Sequence, residues 1–239
     1  MWRMLGWPGR ILYWLGWALV RSGLALLLRF RIEGRHKVPR RGTVLIASNH
    51  LSNLDPLLIG SAAPRLLQHM AKRELSAKPL LYWFLRGIGT VMVDRGRGQQ
   101  ALEEAVKYLQ RGACMAIFPE GTRSTTGHMG KGHTGAIVLA MRSGCTILPA
   151  AIIGSDRAMP KGARGIRRAS VTVRFGEPYR LPLAPDGTAI AREVLVRECV
   201  VLMERIEALL PPQMHASRED KRRWYGEMAA RQDAPPGTA

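Results

Sequence analysis

From residue 43 onward, short apolar runs rich in β-branched residues take turns with amphipathic stretches, and this alternation narrows the fold more than any other feature of the chain. "TVLIAS" (43–48), "LLQHMAK" (66–72), "TVMVD" (90–94), "CMAIFP" (114–119), "TILPAAII" (146–153) and "SVTVRFG" (170–176) read as strands. "DPLLIGSAA", "KPLLYWFLRGIG" (78–89), "GQQALEEAVKYLQRG" (98–112) and "HTGAIVLAMRSG" (133–144) read as helices, and "AIAREVLVRECVVLMERIEALL" (189–210) as a long amphipathic one. Strand and helix in turn describe an α/β domain: a largely parallel or mixed central sheet flanked by helices. "GSDRAMPKGARGIRR" between the last two strands is a basic loop. The expected division is an N-terminal helical segment (1–32), one folded domain (33–211) and a polar tail (212–239), partly disordered.

The N-terminal segment belongs at a membrane surface. Residues 11–28 carry one charge, Arg21. As a helix this stretch is about 27 Å long, slightly short of a ~30 Å hydrocarbon core. A central arginine costs roughly 2.5–3.5 kcal/mol there, so a simple span is marginal. Arg10, Arg21, Trp14 and Trp17 fall on one side of the wheel, opposite a Leu/Ala/Val face, as in a helix lying in the lipid interface. Pro8 suits its first turn. Arg29, Arg31, Arg35, Lys37, Arg40 and Arg41 follow, a cluster attracted to anionic lipid. No A-x-A-like cleavage site follows the apolar run. The expected location is therefore the cytoplasmic face of the cell membrane, peripheral or monotopic.

Charge agrees with a polyanionic partner: 36 Lys and Arg against 18 Asp and Glu give +18. An anionic membrane is favoured over nucleic acid, because four of the six tryptophans lie in the lipophilic N-terminus instead of between basic residues. Cys114, Cys145 and Cys199 form no C-x-x-C pair, which argues against a disulfide framework or a zinc site. No metal cluster, P-loop or G-x-G-x-x-G is present, so no metal or nucleotide cofactor is expected.

Chemistry in α/β folds collects in loops at the carboxyl ends of strands. Three polar clusters fall there: "NHLSNLD" (49–55), "DRGRG" (94–98) and "PEGTRS" (119–124). Pro56 suits a first helical turn, with Asp55 near the N-cap and His50 in the loop before it. Across such a junction a carboxylate can hold one imidazole nitrogen and raise the basicity of the other, making His50 a general base oriented by Asp55. Two other readings stay open: Ser52 as a hydrolase nucleophile, though the chain has no G-x-S-x-G elbow, and a helix cap beside a loop histidine. In the third cluster Gly121, Thr122, Arg123 and Ser124 suit a phosphate cradle, with Arg95 as a second arm and Lys72 and Lys131 as weaker candidates.

These blocks resemble those of the glycerolipid acyltransferases, most closely the bacterial 1-acylglycerol-3-phosphate acyltransferases. "NHLSNLD" is similar to their N-H-x-S-x-x-D block, "FPEGTRS" to their phosphate-binding block, "GTVMVDR" to their intermediate block and "ILPAAI", with Pro149, to their late block. The resemblance runs in order from about residue 30 to 180. It implies that residues 33–211 form an acyltransferase domain, moving an acyl chain from acyl-CoA or acyl-carrier protein, as co-substrate, to lysophosphatidic acid. His50 would deprotonate the acceptor hydroxyl, and Asp55 would hold His50. Arg95, Glu120, Gly121, Thr122, Arg123 and Ser124 would seat the acceptor phosphate, supported by Asn49, Ser52, Lys72, Lys131 and Pro149. A lyso-aminolipid or glycolipid acceptor is the alternative.

Overall fold

In a computed structural model, residues 7–72, 90–93, 98–160, 162–163, 165–184 and 187–230 are described. The element order is α1 (Trp7–Leu27), β1 (Leu28–Glu33), β2 (Val44–Ser48), α2 (Asp55–Ala62), β3 (His69–Lys72) and β4 (Thr90–Val93). There follow α3 (Gly98–Gln110), β5 (Cys114–Ile117), α4 (Gly135–Ser143), β6 (Thr146–Ile153), α5 (Ser155–Ala158), β7 (Ala169–Phe175), α6 (Arg192–Glu207) and α7 (Arg218–Ala230). The expected helix at 78–89 lies outside the described residues.

Among the described residues, five strands form a mixed sheet in the order β1-β7-β6-β2-β5, in which only β6 and β7 pair antiparallel. β3 and β4 pair parallel, and Gln68 joins them to the main sheet through a parallel bridge to Met115 of β5. The centre is buried on both faces. Every residue of β2 is buried, as the continuous run "VLIAS" requires of a strand covered on two sides. One layer packs Leu58, Ile59 and Leu67 on Ile46, Leu148 and Val173. The other packs Ile137, Leu139, Leu202 and Ile206 on Leu45, Ile147 and Ala151. With helices on both faces, the strand ends are left as the place for a site. β2, β5 and β6 run parallel, so their carboxyl ends open on one edge.

Three features depart from the sequence expectations. Leu28–Glu33, assigned to the anchor and its basic tail, is an edge strand whose register with β7 runs from Leu28↔Ala169 to Glu33↔Arg174. Alternating burial over "LRFRIE", with Leu28, Phe30 and Ile32 turned inward, explains it, and the arginines merely occupy the outer face. The tail contains α7. It is fastened by Lys221 to Glu207 of α6 and by the Ala216 N–H donating to the same carboxylate at 2.8 Å.

The tryptophan stripe of α1 also divides. Trp17 is buried against α2, among Val20, Leu57 and Leu66. Gly60 makes the slot: a Cβ there would lie 1.9 Å from the Trp17 ring. Trp14 stays exposed, in company with Ile11, Leu15, Leu19 and Leu26. No described helix is long and apolar enough to cross a membrane.

Candidate active site

The loop after β2 is set by its first residue. Asn49 is buried, and its amide copies a backbone unit: Nδ2 donates to the Ile152 carbonyl at 2.9 Å, and the Ile152 N–H donates to Oδ1 at 2.8 Å. This extends the β2–β6 ladder one step past the strand end and aims the next residue, His50, out over the sheet edge.

Asp55 opens α2 as its first residue, followed by Pro56. Its Oδ2 draws three donors: the Leu51 N–H at 2.6 Å, the Ser52 N–H at 2.7 Å and His50 Nδ1 at 2.8 Å. The aspartate is fully buried and His50 half-buried, so their contact is shielded from water. The two residues meet because the chain turns between them, as expected for a strand–loop–helix junction. With Nδ1 donating to the carboxylate, Nε2 is the basic nitrogen. Phe118, the residue after β5, stacks on the imidazole with ring centres 4.1 Å apart, fixing its plane. Sequence reasoning did not single out Phe118; its place directly before the Pro-Glu of "FPEGTRS" was the available signal.

The "PEGTRS" turn closes on the same histidine from the other side. Glu120 Oε1 accepts the His50 N–H at 2.9 Å, and the Ser124 N–H donates to the His50 carbonyl at 2.8 Å. Between them the turn reverses at Gly121, whose φ of 68° suits glycine. The two clusters separated by seventy residues are therefore one site.

Glu120 does not sit where the resemblance placed it. Its carboxylate is buried, Oε1 is taken by His50, and Oε2 accepts the Gly130 N–H at 2.9 Å. Gly130 is tailored to this contact, since a Cβ there would meet Oε2 at 2.7 Å. A carboxylate with both oxygens engaged positions the histidine and offers nothing to a phosphate. Burial pushes its pKa from 4.5 up to about 7, and the charge of Asp55 adds to the rise against the two N–H donors.

The remaining candidates separate by place. Thr122 is exposed and Arg123 half-buried on the turn. Ser124 Oγ accepts the N–H groups of Thr126 and Gly127, which holds the following loop in shape. Ser52 is fully buried; its Oγ donates to the Met159 carbonyl at 2.9 Å and accepts the Leu54 N–H at 3.3 Å. That is a structural hydroxyl, which removes the hydrolase reading's nucleophile. Pro149 lies in the body of β6, opposite Ala47, and its carbonyl accepts the Gly176 N–H at 2.8 Å, so it shapes the sheet. Lys131 is half-buried just past Gly130, and Lys72 closes β3. Arg95 lies outside the described residues. Among the described residues no group of three or more His, Cys, Asp or Glu is placed to hold a metal.

The Acyltransferase family model matches residues 29–153, which include both halves of this site. The chain belongs to the Acyltransferase family. Its fold agrees with that family's: the 1-acyl-sn-glycerophosphate (LPA) acyltransferase PlsC of Thermotoga maritima superposes with a TM-score of 0.68 at 26% identity, over 82% of this chain and 79% of that one. The lyso-ornithine lipid O-acyltransferase of Pseudomonas aeruginosa is 31% identical over 68% of this chain and 68% of its own. The 1-acyl-sn-glycerol-3-phosphate acyltransferase of the same species is 31% identical over 58% of this chain and 54% of its own. The chloroplastic LPAT1 of Arabidopsis thaliana is 31% identical over 58% of this chain, which spans 40% of that protein. The chain thus covers about half the length of these last two relatives.

Proposed function

We propose that this acyltransferase-family protein moves an acyl chain from acyl-CoA or acyl-carrier protein to the free hydroxyl of lysophosphatidic acid, giving phosphatidic acid. The single observation that carries it is the buried 2.8 Å contact of His50 Nδ1 with Asp55, which leaves Nε2 as a base at the sheet edge. Nε2 takes the proton of the acceptor hydroxyl as its oxygen attacks the thioester carbonyl. The carbon–sulfur bond of the resulting intermediate breaks, and the thiolate leaves with the proton returned by the imidazolium. No acyl-enzyme forms, no cofactor is consumed, and the buried Ser52 is not called on.

Arg123, with Thr122 beside it, is the seat for the acceptor phosphate, and Arg95 is its proposed second arm. The names of the Thermotoga, Pseudomonas and Arabidopsis relatives support a phosphate-bearing acceptor. A lyso-aminolipid is the second reading, favoured by the Pseudomonas lyso-ornithine lipid enzyme, which this chain matches over 68% of its length. Lipid substrates call for a membrane surface. The exposed Ile11, Trp14, Leu15, Leu19 and Leu26 of α1 supply an apolar face for peripheral docking, and the positive net charge favours anionic lipid.

The experiment offers purified protein oleoyl-CoA with lysophosphatidic acid, lyso-ornithine lipid or monoacylglycerol in turn, and identifies products by mass spectrometry. Phosphatidic acid as the dominant product supports the proposal. Preferential acylation of lyso-ornithine lipid would replace it with the second reading.

A further inference from the structure

The basic segment between β6 and β7 lies beyond the matched family region, and the chemistry above leaves it idle. It is nevertheless fastened to the catalytic loop. Ser52 Oγ holds the Met159 carbonyl at 2.9 Å, and the Arg167 N–H returns to the Ala158 carbonyl at 2.8 Å. Between the two lies a cavity of about 610 Å³, walled by Leu51, Ser124, Thr126 and Gly127 on one side and by Arg157 and Arg167 on the other. That volume is within the ~300–1,000 Å³ usual for small-molecule sites. Among the described residues of the lining Asp156 is the one carboxylate, against the guanidinium groups of Arg157 and Arg167. Among the described residues neither arginine makes an ion pair.

We propose that this cavity binds the phosphates of the acyl thioester donor, those of coenzyme A or of a carrier protein's phosphopantetheine. The assignment rests on the acyl-transfer reading. Two guanidinium groups sharing a lining with the hydroxyls of Ser124, Thr125 and Thr126 suit a phosphate ester. His50 is not part of the lining, yet the cavity starts at its neighbours: Leu51 follows it in the chain, and Ser124 donates to its carbonyl. An occupant anchored here must reach out of the cavity to present its reacting carbon at Nε2. A thioester donor has that form, with its phosphates at the far end of the pantetheine arm. In lysophosphatidic acid the phosphate is one carbon from the hydroxyl-bearing carbon, and Arg123, which is not in this lining, serves it on the adjoining turn.

The test measures equilibrium binding of coenzyme A and of glycerol 3-phosphate to wild-type protein, Arg157→Ala, Arg167→Ala, the double variant and Arg111→Ala. Arg111 precedes β5, at the opposite end of the strands, and controls for lost charge. The double variant should bind coenzyme A roughly tenfold or more weakly, with glycerol 3-phosphate unchanged and Arg111→Ala like wild type. Steady-state kinetics should follow: a raised KM for acyl-CoA or acyl-carrier protein, naming the source, and an unchanged KM for acyl-pantetheine, which lacks phosphates. Unchanged coenzyme A binding, or an equal loss of glycerol 3-phosphate, would overturn the assignment. Arg157- and Arg167-dependent coenzyme A binding in a protein that acylates no lysolipid would uphold the cavity and sink the transfer reading instead.

Discussion

Glu120 accepts the backbone N–H of His50 at 2.9 Å, so the base is held by a carboxylate seventy residues away as well as by Asp55. In Glu120→Gln one oxygen becomes an amide NH₂ that cannot accept from Gly130 or His50, leaving a buried N–H unpaired. The imidazole then shifts, and misplacement by about 1 Å can cost on the order of 100-fold in rate. Glu120→Gln should therefore lower kcat by roughly 10- to 100-fold. KM for the acceptor should hardly move. A raised acceptor KM with normal kcat would return Glu120 to the phosphate seat.

The same carboxyl makes stability depend on pH. It titrates near 4.5 when unfolded and at about 7 when folded, chiefly because it is buried. Between those values the native protein keeps a proton that the unfolded chain has lost, so this group's contribution to stability falls as pH rises from 4.5 to 7. Denaturant unfolding at pH 5 and pH 7.5 should reveal that decline in the wild type, and Glu120→Gln should flatten it. Identical pH slopes in the two proteins would contradict the shift. Ionisation completes the clamp on His50 while costing stability, as functional sites often do.

Ser52→Ala separates a structural hydroxyl from a nucleophile. The Oγ bonds to Met159 and Leu54 are lost, at about 1 kcal/mol of stability. Acyl transfer should persist at saturating donor. Complete loss of turnover in a folded variant would revive the hydrolase mechanism.

Replacing Leu15, Leu19 and Leu26 together by serine should leave melting behaviour near wild type, because these side chains are exposed. Sedimentation with anionic phospholipid vesicles should fall several-fold, given ~0.8 kcal/mol for each buried CH₂ withdrawn from lipid. Unchanged vesicle binding would move the docking face elsewhere.

Much of this was legible in the sequence. "TILPAAII" is β6 residue for residue, because an apolar run buried on both faces has sharp polar ends. "GQQALEEAVKYLQ" is α3, with Gly112 following in a left-handed conformation. The His50–Asp55 contact followed from Pro56, which places the aspartate at a helix start. What failed was long-range. β1 hid inside a basic stretch, since its arginines alternate outward and only its partner β7 marks the inner face. Glu120 looked like a ligand for phosphate because its true partners are backbone amides, which leave no mark in a sequence. Trp17 looked interfacial because the slot that receives it belongs to Gly60 on another helix.

Direct acyl transfer with His50 as the base requires that thiol release be coupled to the acceptor. Thiol release from oleoyl-CoA is followed with and without lysophosphatidic acid, for wild-type protein and His50→Ala in parallel. Release that requires the acceptor, matches phosphatidic acid formed and drops by roughly 100-fold or more in His50→Ala is the predicted result. Acceptor-independent release, or wild-type turnover in the variant, would contradict it.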